Sequence, residues 1–180
     1  MPLTPLHYPV AYMIYKFEKK LSLPGLIVGS MFPDLEIPII ILLFGTRIPG
    51  NRLVLHSLLG AATVGTMFSM AFTVLIYPLL INGFFKIRKE KVKNKFKPSF
   101  VLIFSCFLGN LSHVLLDIVN HPLNPIFWPF QSPTLSPIVV ILGGTDKASM
   151  IVSSVLIVLF IVLIVYQRGN LEKLLVEDIT

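Results

Sequence analysis

Residues 149–166 read SMIVSSVLIVLFIVLIVY. The stretch is almost pure Ile, Val and Leu and holds no charged residue. Crossing the hydrocarbon core of a bilayer takes roughly 20 apolar residues rising 1.5 Å each. A segment with no polar face has nothing to offer water, whereas lipid can face it directly. The stretch therefore predicts a lipid-facing anchor helix, and with it the fold class: an all-α, polytopic membrane bundle.

Three further spans lie toward the N-terminus. Ser57 to Gly83 is apolar throughout, with Gly and Ser residues suited to close helix packing. Ser99 to Val119 is apolar but carries Asn110, His113 and Asp117. Leu26 to Phe44 is interrupted by Pro33, Asp34, Glu36 and Pro38. Two segments are too short to span: Pro5 to Phe17, a short N-terminal helix, and Pro137 to Leu142, expected to be interfacial or re-entrant. Between the last two spans, PLNPIFWPFQSP (122–133) suits a loop at the membrane–water boundary. The expectation is about four spans plus the short first helix.

Composition agrees. Of 180 residues, 54% are hydrophobic and 13% charged, and the mean hydropathy is +0.82. Globular domains carry about 25% charged residues, so this chain has too little polar surface to cover itself in water. One integral membrane domain, 1–180, is expected. The net charge is +6, and seven of the 15 basic residues fall in KIRKEKVKNKFK, 86–97. Apolar spans flank this run, which reads as a cytoplasmic loop (86–98) under the positive-inside rule rather than as a nucleic-acid site. Contact with anionic lipid headgroups follows from the same charge. Lys16, Lys19, Lys20, Arg168 and Lys173 then belong on the cytoplasmic side with the C-terminus. The Arg47–Arg52 connection and the 120–148 region fall on the other side. The single cysteine, Cys106, reads as a small buried hydrophobe. MPLTPLHYPVAY has no basic n-region and is not read as a signal peptide.

Ionisable groups inside spans are costly and mark function, pairing or a water-filled cavity. All four histidines, His7, His56, His113 and His121, lie in or beside apolar segments, and two of four aspartates, Asp34 and Asp117, lie inside spans. His113 and Asp117 are four residues apart and share a helix face with Asn110. At 1.5 Å per residue, His113 sits roughly 20 Å from the start of its span, His7 roughly 18 Å from Lys20, and Asp34 roughly 15 Å beyond Pro24. His56 opens its span from the far side. All five groups can therefore meet in the non-cytoplasmic half of the bundle. Three imidazoles and two carboxylates form a ligand set for Zn2+, with Mn2+ or Fe2+ as alternatives. His121 would be a sixth ligand, leaving room for one or two ions.

Each residue also has a plainer role. His113 and Asp117 can be a hydrogen-bonded pair joining helices. Asp34 can cap the helix after a Pro-Asp turn, and His56, His7 and His121 can be interfacial histidines. Glu36, two residues from Asp34, points elsewhere on a helix; it is a general-base candidate or a supporting residue. Arg52 can clamp a phosphate or stand as a flanking charge at the membrane edge. Arg52 and Asn110 are the substrate-contact candidates, and Asp34, Asp117 and Glu36 the catalytic ones.

The ordered set PLHYP, GSMFPDLE, LHSLLG and GNLSHVLLDIVNHPLNPIFWPF resembles the bacterial and archaeal membrane-bound metal-dependent hydrolases of the YdjM-like kind, over most of residues 1–130. That group is similar to the zinc-dependent phospholipase C and P1 nuclease superfamily in the order of its His and Asp ligands. The resemblance implies that His7, Asp34, His56, His113 and Asp117 take metal-ligand positions, and that His121 matches a later ligand. No histidine follows His121. The expected activity is metal-dependent hydrolysis of a phosphoester or other ester of a lipidic substrate. A metal or proton transporter and a non-catalytic membrane scaffold are the alternatives.

Overall fold

The computed structural model describes residues 4–87, 96–167 and 169–176. Most of the basic run, 88–95, and Arg168 lie outside the described residues. A 3-10 turn, Thr4–His7, leads into α1, Tyr8–Phe17. The helix α2, Leu23–Met31, passes through a 3-10 turn, Phe32–Leu35, into α3, Glu36–Phe44. Then come α4, Leu58–Leu75, α5, Tyr77–Phe85, and α6, Phe100–Asn120. The short α7, Pro137–Ile141, precedes α8, Thr145–Tyr166, and α9, Leu171–Leu175. A two-residue antiparallel pair, Leu123–Asn124 with Thr134–Leu135, closes the loop after α6.

Four helical stretches are long and apolar enough to cross a membrane: Leu23–Phe44, Leu58–Leu75, Phe100–Asn120 and Thr145–Tyr166. Serine opens three of them. The hydroxyls of Ser22, Ser57 and Ser99 accept from the backbone N–H of Gly25, Gly60 and Leu102, satisfying donors that the helix itself leaves orphaned. The stretch expected as a single span from Ser57 to Gly83 is broken at Ile76. Pro78 has no N–H for the carbonyl one turn back, and its ring crowds that turn, so α4 ends at Leu75 and α5 begins anew at Tyr77. Within α4, one π turn spans Ala61–Gly65, and Thr66 Oγ1 donates to Ala61 O at 2.7 Å.

The centre of the bundle is the crossing of α2 and α6, which run parallel in close backbone contact. A Cβ built on Gly29 would lie 2.4 Å from Cys106 O, and one on Gly109 would lie 2.6 Å from Leu26 O. Only glycine fits at either position. In lipid, helices gain little from burying apolar surface, so such close approach supplies the association energy. Polar stitches add to it: Ser22 N donates to Ser105 Oγ at 2.8 Å, and Asn110 Nδ2 donates to Ser69 Oγ on α4 at 2.9 Å. Each is worth roughly 0.6 kcal/mol in a membrane, less than the packing they accompany. On the other flank Tyr8 and Tyr77 donate to Leu174 O and Leu175 O at 2.8 and 2.9 Å, tying α9 to α1 and α5.

Candidate metal centre

The chain direction brings the start of α1, the turn between α2 and α3, the approach to α4 and the last turns of α6 to one end of the bundle. His7, Asp34, His56, His113 and Asp117 meet there. The crossing at Gly29 and Gly109 sets the register. One turn beyond Gly109, His113 Nδ1 lies 2.8 Å from Ser30 O. A carbonyl can only accept, so Nδ1 carries the proton and the Nε2 lone pair faces the cluster. His56 is fixed in the same way, with Nδ1 donating to Glu36 Oε2 at 2.9 Å.

The inward-facing atoms are evenly spaced. His56 Nε2 lies 3.8 Å from Asp34 Oδ1 and 3.7 Å from Asp117 Oδ2, and His113 Nε2 lies 3.6 Å from both carboxylate oxygens. These gaps are too long for hydrogen bonds. His56 Nε2 and His113 Nε2 are indeed buried with no hydrogen-bond partner, as is His7 Nδ1, while Asp117 Oδ2 has the Arg52 guanidinium beside it, with Nε at 3.2 Å. Burying such groups unpaired costs about 1–3 kcal/mol apiece. Gaps of this size are of the order that separates donor atoms sharing one cation, whose bonds to His and carboxylate run about 2.0–2.2 Å. The His7 ring stacks on His113, with centroids 4.0 Å apart. Its ligand atom falls within 4.8 Å of those of His113 and Asp117, as do those of Asp34, His56 and His113 among themselves. His113 belongs to both triads. Burial foremost, with His113 alongside, pushes the His7 imidazole down to about 3, so it is neutral at neutral pH and its lone pair is free to bind.

Four of the sequence expectations are corrected here. Glu36 was expected to point away from Asp34. The 3-10 turn instead sets the two carboxylates on opposite edges of the His56 ring. The Glu36 oxygens accept from Leu53 N, Val54 N, Leu55 N and His56 Nδ1 at 2.7–3.1 Å. A carboxylate has about four such acceptor sites; all are filled, so Glu36 orients His56 and has no capacity left to act as a base. His121 does not join the inward-facing set. Its Nε2 is 2.9 Å from Arg52 NH2 and 3.0 Å from Asn120 Nδ2. Guanidinium only donates, so the lone pair a cation would need is occupied. Burial foremost, reinforced by Arg52 and opposed by Asp117, holds His121 at about 4.

Arg52, read as a phosphate clamp or a flanking charge at the membrane edge, is 4% exposed and turned inward, with Nε 3.2 Å from Asp117 Oδ2 and NH1 donating to Gly50 O at 3.1 Å. It offsets the Asp117 charge instead. Asn110, the other substrate-contact candidate, spends its amide on Ser69 Oγ and Cys106 O, at 2.9 Å each. It is buried between α4 and α6, one turn short of His113, and joins helices. Ser30 was not foreseen, because a backbone carbonyl carries no side-chain signal. The GLIVG run, 25–29, was the readable clue, since glycines four residues apart mark a close helix crossing.

Asp34 is the one member with appreciable exposure, its side chain 14% accessible against 4% for Asp117 and 0–1% for His113 and His56. The centre therefore opens on the Asp34 side. The model of the YdjM inner membrane protein family matches residues 8–171. No curated protein and no solved structure matches the chain. The chain belongs to the YdjM inner membrane protein family, and with its four apolar helices it is a multi-pass membrane protein.

Proposed function

We propose that this YdjM-family membrane protein is a metal-dependent hydrolase acting on an ester, foremost a phosphoester, of a lipidic substrate. His7, Asp34, His56, His113 and Asp117 would hold one divalent cation, with zinc ahead of manganese and iron. A single observation carries the proposal: His56 Nε2 and His113 Nε2, buried and without hydrogen bonds, each face the Asp34 and Asp117 carboxylates across gaps of 3.6–3.8 Å. A cation among them would relieve the orphaned His56 and His113 nitrogens. The tethers on His56 and His113, to a carboxylate and to a backbone carbonyl, match the outer partners that metal-bound histidines use.

Bound there, the ion would lower the pKa of a water and polarise the scissile group. The remaining work falls to this chain. Ser30 O and Glu36 hold the imidazoles in the tautomer that binds. Arg52 fixes the rotamer of Asp117 and offsets its charge, so that the two carboxylates can stand close together in a buried site. Asp34, at the open side, is placed to orient a water against a substrate arriving from the lipid. By the positive-inside argument the centre belongs to the non-cytoplasmic half of the membrane.

The test is elemental analysis of the purified protein, followed by hydrolysis assays on phospholipids and isoprenoid phosphates. Stoichiometric metal that is lost in a His113→Ala, Asp117→Ala double variant, together with wild-type activity that disappears with it, is expected. Metal uptake into proteoliposomes without hydrolysis would point to a transporter. A metal-free wild type would leave a scaffold.

A further inference from the structure

An apolar groove of about 350 Å³ lies between α1, α2, α5, α8 and α9, walled by Tyr8, Ile27, Met31, Tyr77, Phe160 and Leu174. A second recess of about 230 Å³ shares Ile27, Met31 and Tyr77 with it and continues to Thr4, Phe32 and Leu35. The two adjoin along those shared walls, and we read them as one path. Its inner end reaches the candidate metal centre at the 3-10 turn that carries Asp34, whose Phe32 and Leu35 line it. Asp34 is also the exposed edge of the cluster. The path therefore joins the lipid-facing surface of the bundle to the one side on which the centre is open.

The wall is apolar by construction. The hydroxyls of Tyr8 and Tyr77 are its polar tips on the outer stretch, and both are turned away onto Leu174 O and Leu175 O. Among the described residues, no charged side chain lines either recess. In a bilayer such a groove meets hydrocarbon rather than water, so an apolar chain enters it without desolvating any polar group. At the far end, Thr4 and Asp34 require a polar group. A molecule that satisfies both ends is an amphiphile with one long chain and a compact polar head. From Ile27 to Leu35 the path follows α2 and the 3-10 turn for roughly 12 Å at helical rise, so a short chain fills only part of it.

We infer that this groove seats one long hydrocarbon chain of a phosphate-bearing amphiphile, delivering its head to the metal centre from the membrane side. The inference rests on the proposed hydrolase but concerns binding, which can be measured without turnover. Hexadecyl phosphate, hexyl phosphate and inorganic phosphate are each added to the full-length protein in detergent, and adducts are counted by native mass spectrometry. Hexadecyl phosphate is expected to bind one per chain and at least about tenfold more tightly than hexyl phosphate. Ile27→Trp, which fills the shared waist of the path, should weaken hexadecyl phosphate by about tenfold or more while leaving inorganic phosphate unchanged. Leu171→Trp, at the exposed rim of the groove, repeats the test where the buried substitution fails to fold. The His113→Ala, Asp117→Ala protein should retain the preference for the long chain.

Equal binding of the two alkyl phosphates, or wild-type binding by the folded groove variants, overturns the inference. Loss of chain binding in those variants, combined with no hydrolysis of any ester by the wild type, upholds the groove and removes the hydrolase.

Discussion

The helices α6 and α8 are nearly the same length and both are apolar enough to span a membrane, yet they do different things. In the most apolar window of α6, 44% of residues are buried; in that of α8 only 11% are, although α8 has the higher mean hydropathy, 3.0 against 1.8. Hydropathy therefore marks which segments enter the membrane, not which form the centre of the bundle. What separates the two is one face of α6. Ser105 and Gly109 let α2 come into backbone contact, and Asn110, His113 and Asp117 follow on the buried side. Along α8, by contrast, Ile157, Val158, Ile161 and Val165 remain exposed.

The comparison breaks most visibly at the candidate metal centre. Replacing His113 and Asp117 by alanine should abolish metal binding and lower hydrolysis roughly a thousandfold, the several kcal/mol a metal supplies to a transition state. Elemental analysis and a lipid phosphate assay read the two effects, and an active, metal-loaded double variant would show α6 to be no more than a structural helix. Next in size is Glu36→Gln, which leaves every inward-facing ligand in place but weakens the grip on His56. Metal affinity should fall about 10–100-fold, as measured by competition with a chelator, and an unchanged affinity would mean that Glu36 only pins the loop 53–55. Gly29→Ala should then cost about 1–3 kcal/mol of stability through overpacking against Cys106 O, seen as a lowered unfolding midpoint in detergent. Smallest of all, Val158→Leu on α8 should move that midpoint within about 0.5 kcal/mol. A large loss there would mean that α8 packs against something beyond this chain.

The site shows the same division. His7, Asp34, His56, His113 and Asp117 were picked out by a simple cost, that of placing ionisable groups among apolar neighbours, and depth counted along ideal helices sufficed to bring them to one level. Details that depend on a broken helix were not readable. Glu36 lies two residues from Asp34, on a different face of any regular helix, until Pro33 and the 3-10 turn swing both carboxylates to one histidine. Arg52 and His121 are 69 positions apart in sequence, and nothing local announces that they bond to each other. Asn110 shares the His113 stripe on a helical wheel, but the approach of α4 claims its amide.

The sequence alone determined the number of spans, their approximate bounds and the residues too polar to face lipid, because transfer between water and hydrocarbon is a property of each segment by itself. Tertiary structure alone decided which imidazole nitrogen faces inward, which carboxylate is saturated and which remains open, and where the groove reaches Asp34. Those outcomes hang on contacts between helices distant in the chain, at tolerances of a few tenths of an ångström, set where Gly29 meets Gly109.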